Sequence, residues 1–154
     1  GVGQGRVLVT PLHMAMIASS VANGGVMMEP KLVRQITGAA GIPRLRSSGG
    51  TYRRVMSEAT AQIVGEYMRE TVENGTGKKA RVSGYTVCGK TGSAETSNDK
   101  SVSTNAWFVG YIQDANCPYA VAVVLEQAGS GGDLAATLAA KCLAEAVELV
   151  GGQG

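Results

Sequence analysis

Two periods of apolar and polar positions alternate along the 154-residue chain, and each change of period marks an element. Leu12, Met14, Ala15, Met16, Ile17, Ala18, Val21 and Ala22 recur densely, which predicts a well-buried helix over 11–23. Thr10 is placed to cap it, Pro11 suits its first position, and Asn23-Gly24-Gly25 ends it. Val26–Met28 and Lys31–Ile36 read as short strands around Pro30, and residues 37–51, rich in Gly, Ser, Pro and Arg, as a loop. Arg53-Arg54-Val55 reads as a brief strand. A second helix is predicted over 58–73, capped by Ser57, with Ala61, Val64, Met68 and Val72 at helical spacing and Asn74-Gly75 as its stop. A third is predicted over 134–150, capped by Asp133, with Thr137, Lys141, Glu145 and Glu148 as one polar stripe.

Between the last two helices the period falls to two. Strands are predicted near 86–93, 106–112 and 119–126, separated by "SAETSNDKSVST" and by the turn "QDANCP". In the last strand both faces are apolar, which predicts a central place with cover on both sides. Short connections favour antiparallel pairing. The fold class is therefore α+β: one antiparallel sheet covered by helices, in a single domain.

Composition narrows the function. A chain with 44% hydrophobic and 17% charged residues is globular; a net charge of +2 says little about partners, and no nucleic-acid partner is expected. Cys88, Cys117 and Cys142, 29 and 25 residues apart, have neither metal-ligand spacing nor an even count, so free thiols and no cofactor are expected. No apolar run reaches the ~18 residues of a membrane span. Without a Met start or signal peptide the chain reads as a piece or processed form, its cellular address on another segment. His13 is the only histidine, and no catalytic partner is near it in sequence, so a structural role is expected. Arg44, Arg46, Arg53, Arg54, Lys78, Lys79 and Arg81 read as solvated surface, and Trp107 and Phe108 as strand residues that pack in the core.

The chemistry concentrates in "GYTVCGKTGS", residues 84–93. Gly84 to Thr91 fits G-x-x-x-x-G-K-T, a phosphate-cradling loop. Such a loop needs a strand before its first glycine and a helix starting at its lysine. Here the loop positions Tyr85, Thr86, Val87 and Cys88 are strand formers, and Gly92 and a polar stretch follow. The same residues read better as a strand ending in K-T-G, the substrate-binding triplet of penicillin-binding proteins and serine β-lactamases. Lys90 then supplies a fixed positive charge for a carboxylate, and Thr91 a hydroxyl for the same group. Gly92 leaves room for a substrate backbone along the strand.

The context of the triplet is "GKTGSAE" followed by "NAWFVGY". With "GQGRVLVTPLHMAMIASSVANGG", "MEPKLV" and "ENGTGKKA" in order before it, residues 3–150 resemble the C-terminal half of a class B penicillin-binding protein transpeptidase domain. The resemblance implies an enzyme that cross-links peptidoglycan. A serine in S-x-x-K attacks the penultimate D-alanine carbonyl of a stem peptide, and the acyl group passes to a neighbouring amine. It implies that Lys90 sets the positive potential and holds the S-x-N serine, and that Thr91 binds the terminal carboxylate. Gly92 clears the backbone path, and the Ser93 N–H is one oxyanion-hole donor. Peptidoglycan stem peptides and β-lactam antibiotics are the implied ligands.

No nucleophile is found in this chain. Ser97-Asn98-Asp99-Lys100 fits S-x-x-K and Ser103-Thr104-Asn105 fits S-x-N, but both follow K-T-G and lie in a polar loop. The serine is expected on an upstream half of the same domain, the chain alone is expected to be inactive, and a membrane anchor outside it is expected to hold the protein on the extracytoplasmic face of a bacterial membrane. The implied sheet has five antiparallel strands with the last beside the first. Strand 119–126 would then present an edge, expected to pair with an upstream segment, with a second copy as a homodimer, or with a rearranged piece of this chain. A non-catalytic penicillin-recognising sensor or scaffold is the alternative function, and a nucleotide-binding protein the distant one.

Overall fold

The computed structural model describes residues 7–39, 41–47, 49–97, 99 and 101–151. Its elements run α1 (Pro11–Ala22), β1 (Val26–Met28), β2 (Gln35–Thr37), β3 (Pro43–Arg46), β4 (Thr51–Arg54), α2 (Glu58–Glu73), β5 (Val87–Ala94), β6 (Asn105–Ile112), β7 (Ala120–Leu125) and α3 (Ala136–Gly151). Thr10 Oγ1 accepts from His13 N at 3.2 Å and Ser57 Oγ from Thr60 N at 3.1 Å, so both caps satisfy an amide that has no acceptor inside its helix.

β5, β6 and β7 form an antiparallel sheet in that order. β5 and β6 pair without a slip, from Val87 opposite Ile112 to Ala94 opposite Asn105. Against one face, α3 lays Ala136, Ala139, Leu143 and Val147, a helical stripe that meets Val87, Phe108, Ile112 and Val123. Against the other, Val21 of α1 and Met68 of α2 meet Cys88 and Tyr111. Gly65 makes that second contact close, since a Cβ there would stand 2.7 Å from Tyr111 Oη.

Five expectations are corrected. Residues 37–51 are not a loop: β2 and β3 form a hairpin with Ile36 opposite Leu45, and β1 pairs with β4, Val26 opposite Arg54. The strand expected at Lys31–Ile36 shrinks to Gln35–Thr37, and the one expected at Arg53–Val55 shifts to Thr51–Arg54. β2, β3 and β4 are exposed throughout, so backbone pairing makes them strands without burying a face that would mark the sequence. Asp133 does not cap α3. It lies in a wide turn over Gly131–Ala135, where its carbonyl accepts from Thr137 Oγ1 at 2.8 Å and its carboxylate pairs with Lys79. Finally, β7 is not central. It has helical cover on both faces, from α1 and α3, but among the described residues it pairs only with β6. Covered faces and a paired flank are separate properties, and the sequence reports only the first. Among the described residues no rearranged piece of the chain fills the open flank.

Cys88, Cys117 and Cys142 are free thiols, the first two buried and the third exposed. Burial pushes the Cys88 thiol up, against the opposing pull of its hydrogen bond with Tyr111, so the thiol stays protonated and unreactive at neutral pH. A maleimide or disulfide reagent is expected to label one cysteine per folded chain quickly, and three after denaturation. Fast labelling of three in the folded state would show that the core around Cys88 opens.

Candidate active site

Lys90, Thr91 and Gly92 follow one another on β5, opposite Val109, Phe108 and Trp107 of β6. Strand alternation sends Lys90 and Gly92 to the face of α1 and α2, and Thr91 and Ser93 to the face of α3. On the first face Lys90 borders an open groove of about 410 Å³ between the two helices and the sheet. Ile17, Val21, Val64, Met68 and Val109 make its walls apolar, and among the described residues Lys90 is the only charged side chain lining it. The exposed ammonium donates to the carbonyl of Thr91 at 2.8 Å. A charge against apolar walls acts in a lower effective dielectric than in water, so its field reaches a bound anion with less loss.

On the second face Thr91 Oγ1 lies 2.7 Å from Thr76 Oγ1, and Ser93 Oγ accepts from Gly131 N at 3.3 Å. Gly131 can sit there only without a side chain, because a Cβ would overlap the carbonyl oxygens of Gly92 and Trp107. The end of β5 is thus closed over by the turn at 131–135. Its flank is different. β5 is the edge of its sheet, and among the described residues no strand pairs its outer side. An extended peptide can add there as a further strand. At Gly92 a Cβ would meet Trp107 Cβ at 3.3 Å, tighter than an ordinary contact, and no other atom within 4 Å.

The strand begins on a second glycine device. Gly89 faces Gly110 across β5 and β6, and the fully buried ring of Phe108 lies over both. Trp107 is half-buried on the groove side. The G-x-x-x-x-G-K-T reading fails on this geometry. Val87 to Thr91 is strand, not loop, and the strand continues to Ala94 with no helix after it.

The two serine strings do not assemble with Lys90. In Ser97-Asn98-Asp99-Lys100, Asn98 and Lys100 lie outside the described residues, and Ser97 Oγ accepts from Asp99 N at 3.0 Å in an exposed turn. In Ser103-Thr104-Asn105 the side chains fasten the segment to the turn after β7. Thr104 Oγ1 donates to Gly129 O at 2.7 Å, and Asn105 Oδ1 accepts from Gln127 N at 3.0 Å. The glycine loop expected at the start of "GQGRVLV" also lies outside the described residues.

A family model for the penicillin binding protein transpeptidase domain matches residues 1–144. The chain belongs to the penicillin-binding protein transpeptidase family. Among relatives of the family, the peptidoglycan D,D-transpeptidase PbpA of Mycolicibacterium smegmatis is 30% identical over 152 residues, covering 95% of this chain and 31% of that protein. MrdA of Haemophilus influenzae, another peptidoglycan D,D-transpeptidase, is 32% identical over 93% of the chain and 24% of its own length. The D,D-transpeptidase domain of a peptidoglycan glycosyltransferase from Eggerthella lenta superposes with a TM-score of 0.81 at 33% identity, over 95% of this chain and 33% of that one. The imipenem acyl-enzyme of penicillin-binding protein A from M. tuberculosis superposes with a TM-score of 0.79 at 30% identity, over 95% and 32%. The chain therefore spans about a third, or less, of the transpeptidases it matches.

Within this transpeptidase segment, sequence reasoning found the K-T-G strand but missed Thr76, Gly131 and the Gly89–Gly110 pair. "ENGTGKKA" pointed to the connection that carries Thr76, though not to the hydroxyl it reaches. Gly131 carries no motif, and the strings that contain Gly89 say nothing of its packing, because each glycine matters by leaving a space that another atom fills.

Proposed function

We propose that this chain is the K-T-G portion of a peptidoglycan D,D-transpeptidase, a serine acyltransferase that cross-links the bacterial cell wall in the complete protein. One observation carries the reading: Lys90, Thr91 and Gly92 lie on an edge strand, with Lys90 as the only charge lining an apolar groove among the described residues. A stem peptide ending in D-Ala-D-Ala lies along β5, its terminal carboxylate held by Thr91 and drawn by the charge of Lys90. Gly92 leaves its backbone room, and the Ser93 N–H donates to the oxygen that becomes negative as the carbonyl is attacked. β-Lactams occupy the same strand. The nucleophilic serine and its S-x-x-K lysine come from an upstream half of the domain, which seats an apolar surface in the groove beside Lys90. That half brings the serine within hydrogen-bond reach of the lysine. The protein works on the extracytoplasmic face of the membrane, with an anchor outside this segment. Among the described residues no helix is long and apolar enough to cross a membrane.

The test is covalent. Among the described residues no helix carries a serine three residues before a lysine. Incubated alone with benzylpenicillin, the chain is expected to keep its intact mass. Joined to the upstream half, it is expected to gain one penicilloyl group and to turn over a D-Ala-D-Ala peptide. An adduct on Ser97 in the isolated chain would overturn the division of roles. Labelling of the complete domain without peptide turnover would instead identify a penicillin-recognising sensor.

A further inference from the structure

The connection between α2 and β5 is fastened far more firmly than its glycines suggest. Gly75 N and Gly77 N both donate to Thr71 O, at 3.1 and 2.9 Å, which folds the chain back over the end of α2. Arg81 clamps the far side, with Nε to Val72 O at 3.2 Å and a second bond from Nη2 to Glu73 O. Lys79 pairs with Asp133, and Gly132 lies so close that a Cβ would stand 2.7 Å from Thr76 O. Between these anchors Thr76 holds its hydroxyl 2.7 Å from that of Thr91.

Each hydroxyl has one proton to donate and lone pairs to accept. A carboxylate only accepts. Once one binds at Thr91, the Thr91 proton must point to it, and the bond between the two threonines can then run only from Thr76 to Thr91. The protons line up from Thr76 to Thr91 to the ligand, and each bond polarises the next. We propose that Thr76 is a positioning residue for Thr91. It fixes the side-chain rotamer and fills the accepting side of the oxygen, so that the one free O–H aims at the carboxylate of the acyl donor. The inference rests on the reading of Thr91 as the carboxylate-binding residue, and extends it to a residue that touches no substrate.

The test uses the complete domain and two acyl-donor peptides that differ only at the C-terminus, one a free carboxylate and one its amide. The quantity read is the ratio of kcat/KM for the two. Thr76→Val removes the donor at nearly constant volume. It is expected to lower the ratio about fivefold to tenfold, the scale of one hydrogen bond, acting mainly through KM of the carboxylate peptide. Thr76→Ser keeps the hydroxyl and is expected to keep the ratio. Thr76 is exposed, so both variants should fold, and Thr76→Ala supplies a second hydroxyl-free protein if the valine variant does not. An unchanged ratio in Thr76→Val, or an equal loss on both peptides, would overturn the proposal. Thr91→Val separates the two levels. If it lowers the ratio and Thr76→Val does not, the carboxylate reading stands and the positioning role falls. If Thr91→Val leaves the ratio intact, the carboxylate reading itself fails.

Discussion

Lys90→Ala in the complete domain is expected to slow acylation by a penicillin on the order of 10²–10³-fold, with little change in melting temperature. The two halves of that expectation have different causes. Stability should hardly move, because the side chain is exposed and its ammonium donates to the neighbouring carbonyl of Thr91. Acylation should suffer because the groove beside Lys90 is lined by Ile17, Val21, Val64, Met68 and Val109, none of which can replace a lost charge. If an upstream half fills that groove as proposed, water is excluded as well, and the Coulomb contribution of the ammonium rises above its value in solution. Stopped-flow acylation beside a thermal melt reads both quantities on one sample. A wild-type acylation rate would remove Lys90 from the site.

Gly89→Ala is expected to be the most destabilising single-methyl change on β5, costing about 3 kcal/mol in urea or thermal denaturation. A Cβ at this position would lie on the ring of Phe108, overlapping Cζ and standing 2.9 and 3.0 Å from Cε2 and Cε1. The ring has nowhere to go. It is 0% exposed, with Gly110 beneath it just as tightly placed, 2.9 Å from Cε1 to a Cβ built there. Replacing the ring with a smaller branched side chain should relieve the overlap. Gly89→Ala combined with Phe108→Leu is therefore expected to be more stable than the sum of the two single losses, by at least about 1 kcal/mol. Strict additivity would mean that the ring and the methyl group never meet.

What the sequence announced and what it kept back divide along physical lines. The three helices were legible because each has a dense apolar pattern, and two of them an oxygen-bearing cap before the first turn. β5, β6 and β7 were legible because alternation and β-branched residues coincide there. β2 and β3 were not, since Gln35-Ile36-Thr37 and Pro43-Arg44-Leu45-Arg46 pair in solvent and need no buried face. Asp133 had the composition of a helix cap and became one side of an ion pair, because Gly131 and Gly132 let the chain pass close over β5 before α3 starts. In the site, the K-T-G triplet could be read because it is contiguous. Thr76 lies fifteen residues before Thr91, and only the fold brings the two hydroxyls together.

The sheet ends on two unlike margins. β5 closes one side with Lys90 upon it, and β7 closes the other with Ala120 to Leu125, which carries no charge at all. To a ligand that recognises only backbone, these are two equivalent addresses about two strand spacings apart, roughly 10 Å. A neutral extended peptide mimic would titrate this segment with a stoichiometry of two, whereas an anionic one would distinguish the margins by the charge on β5. Selectivity for the β5 margin would therefore have to be written into the charge of an inhibitor, and any strand that paired with β7 would remove the competing address.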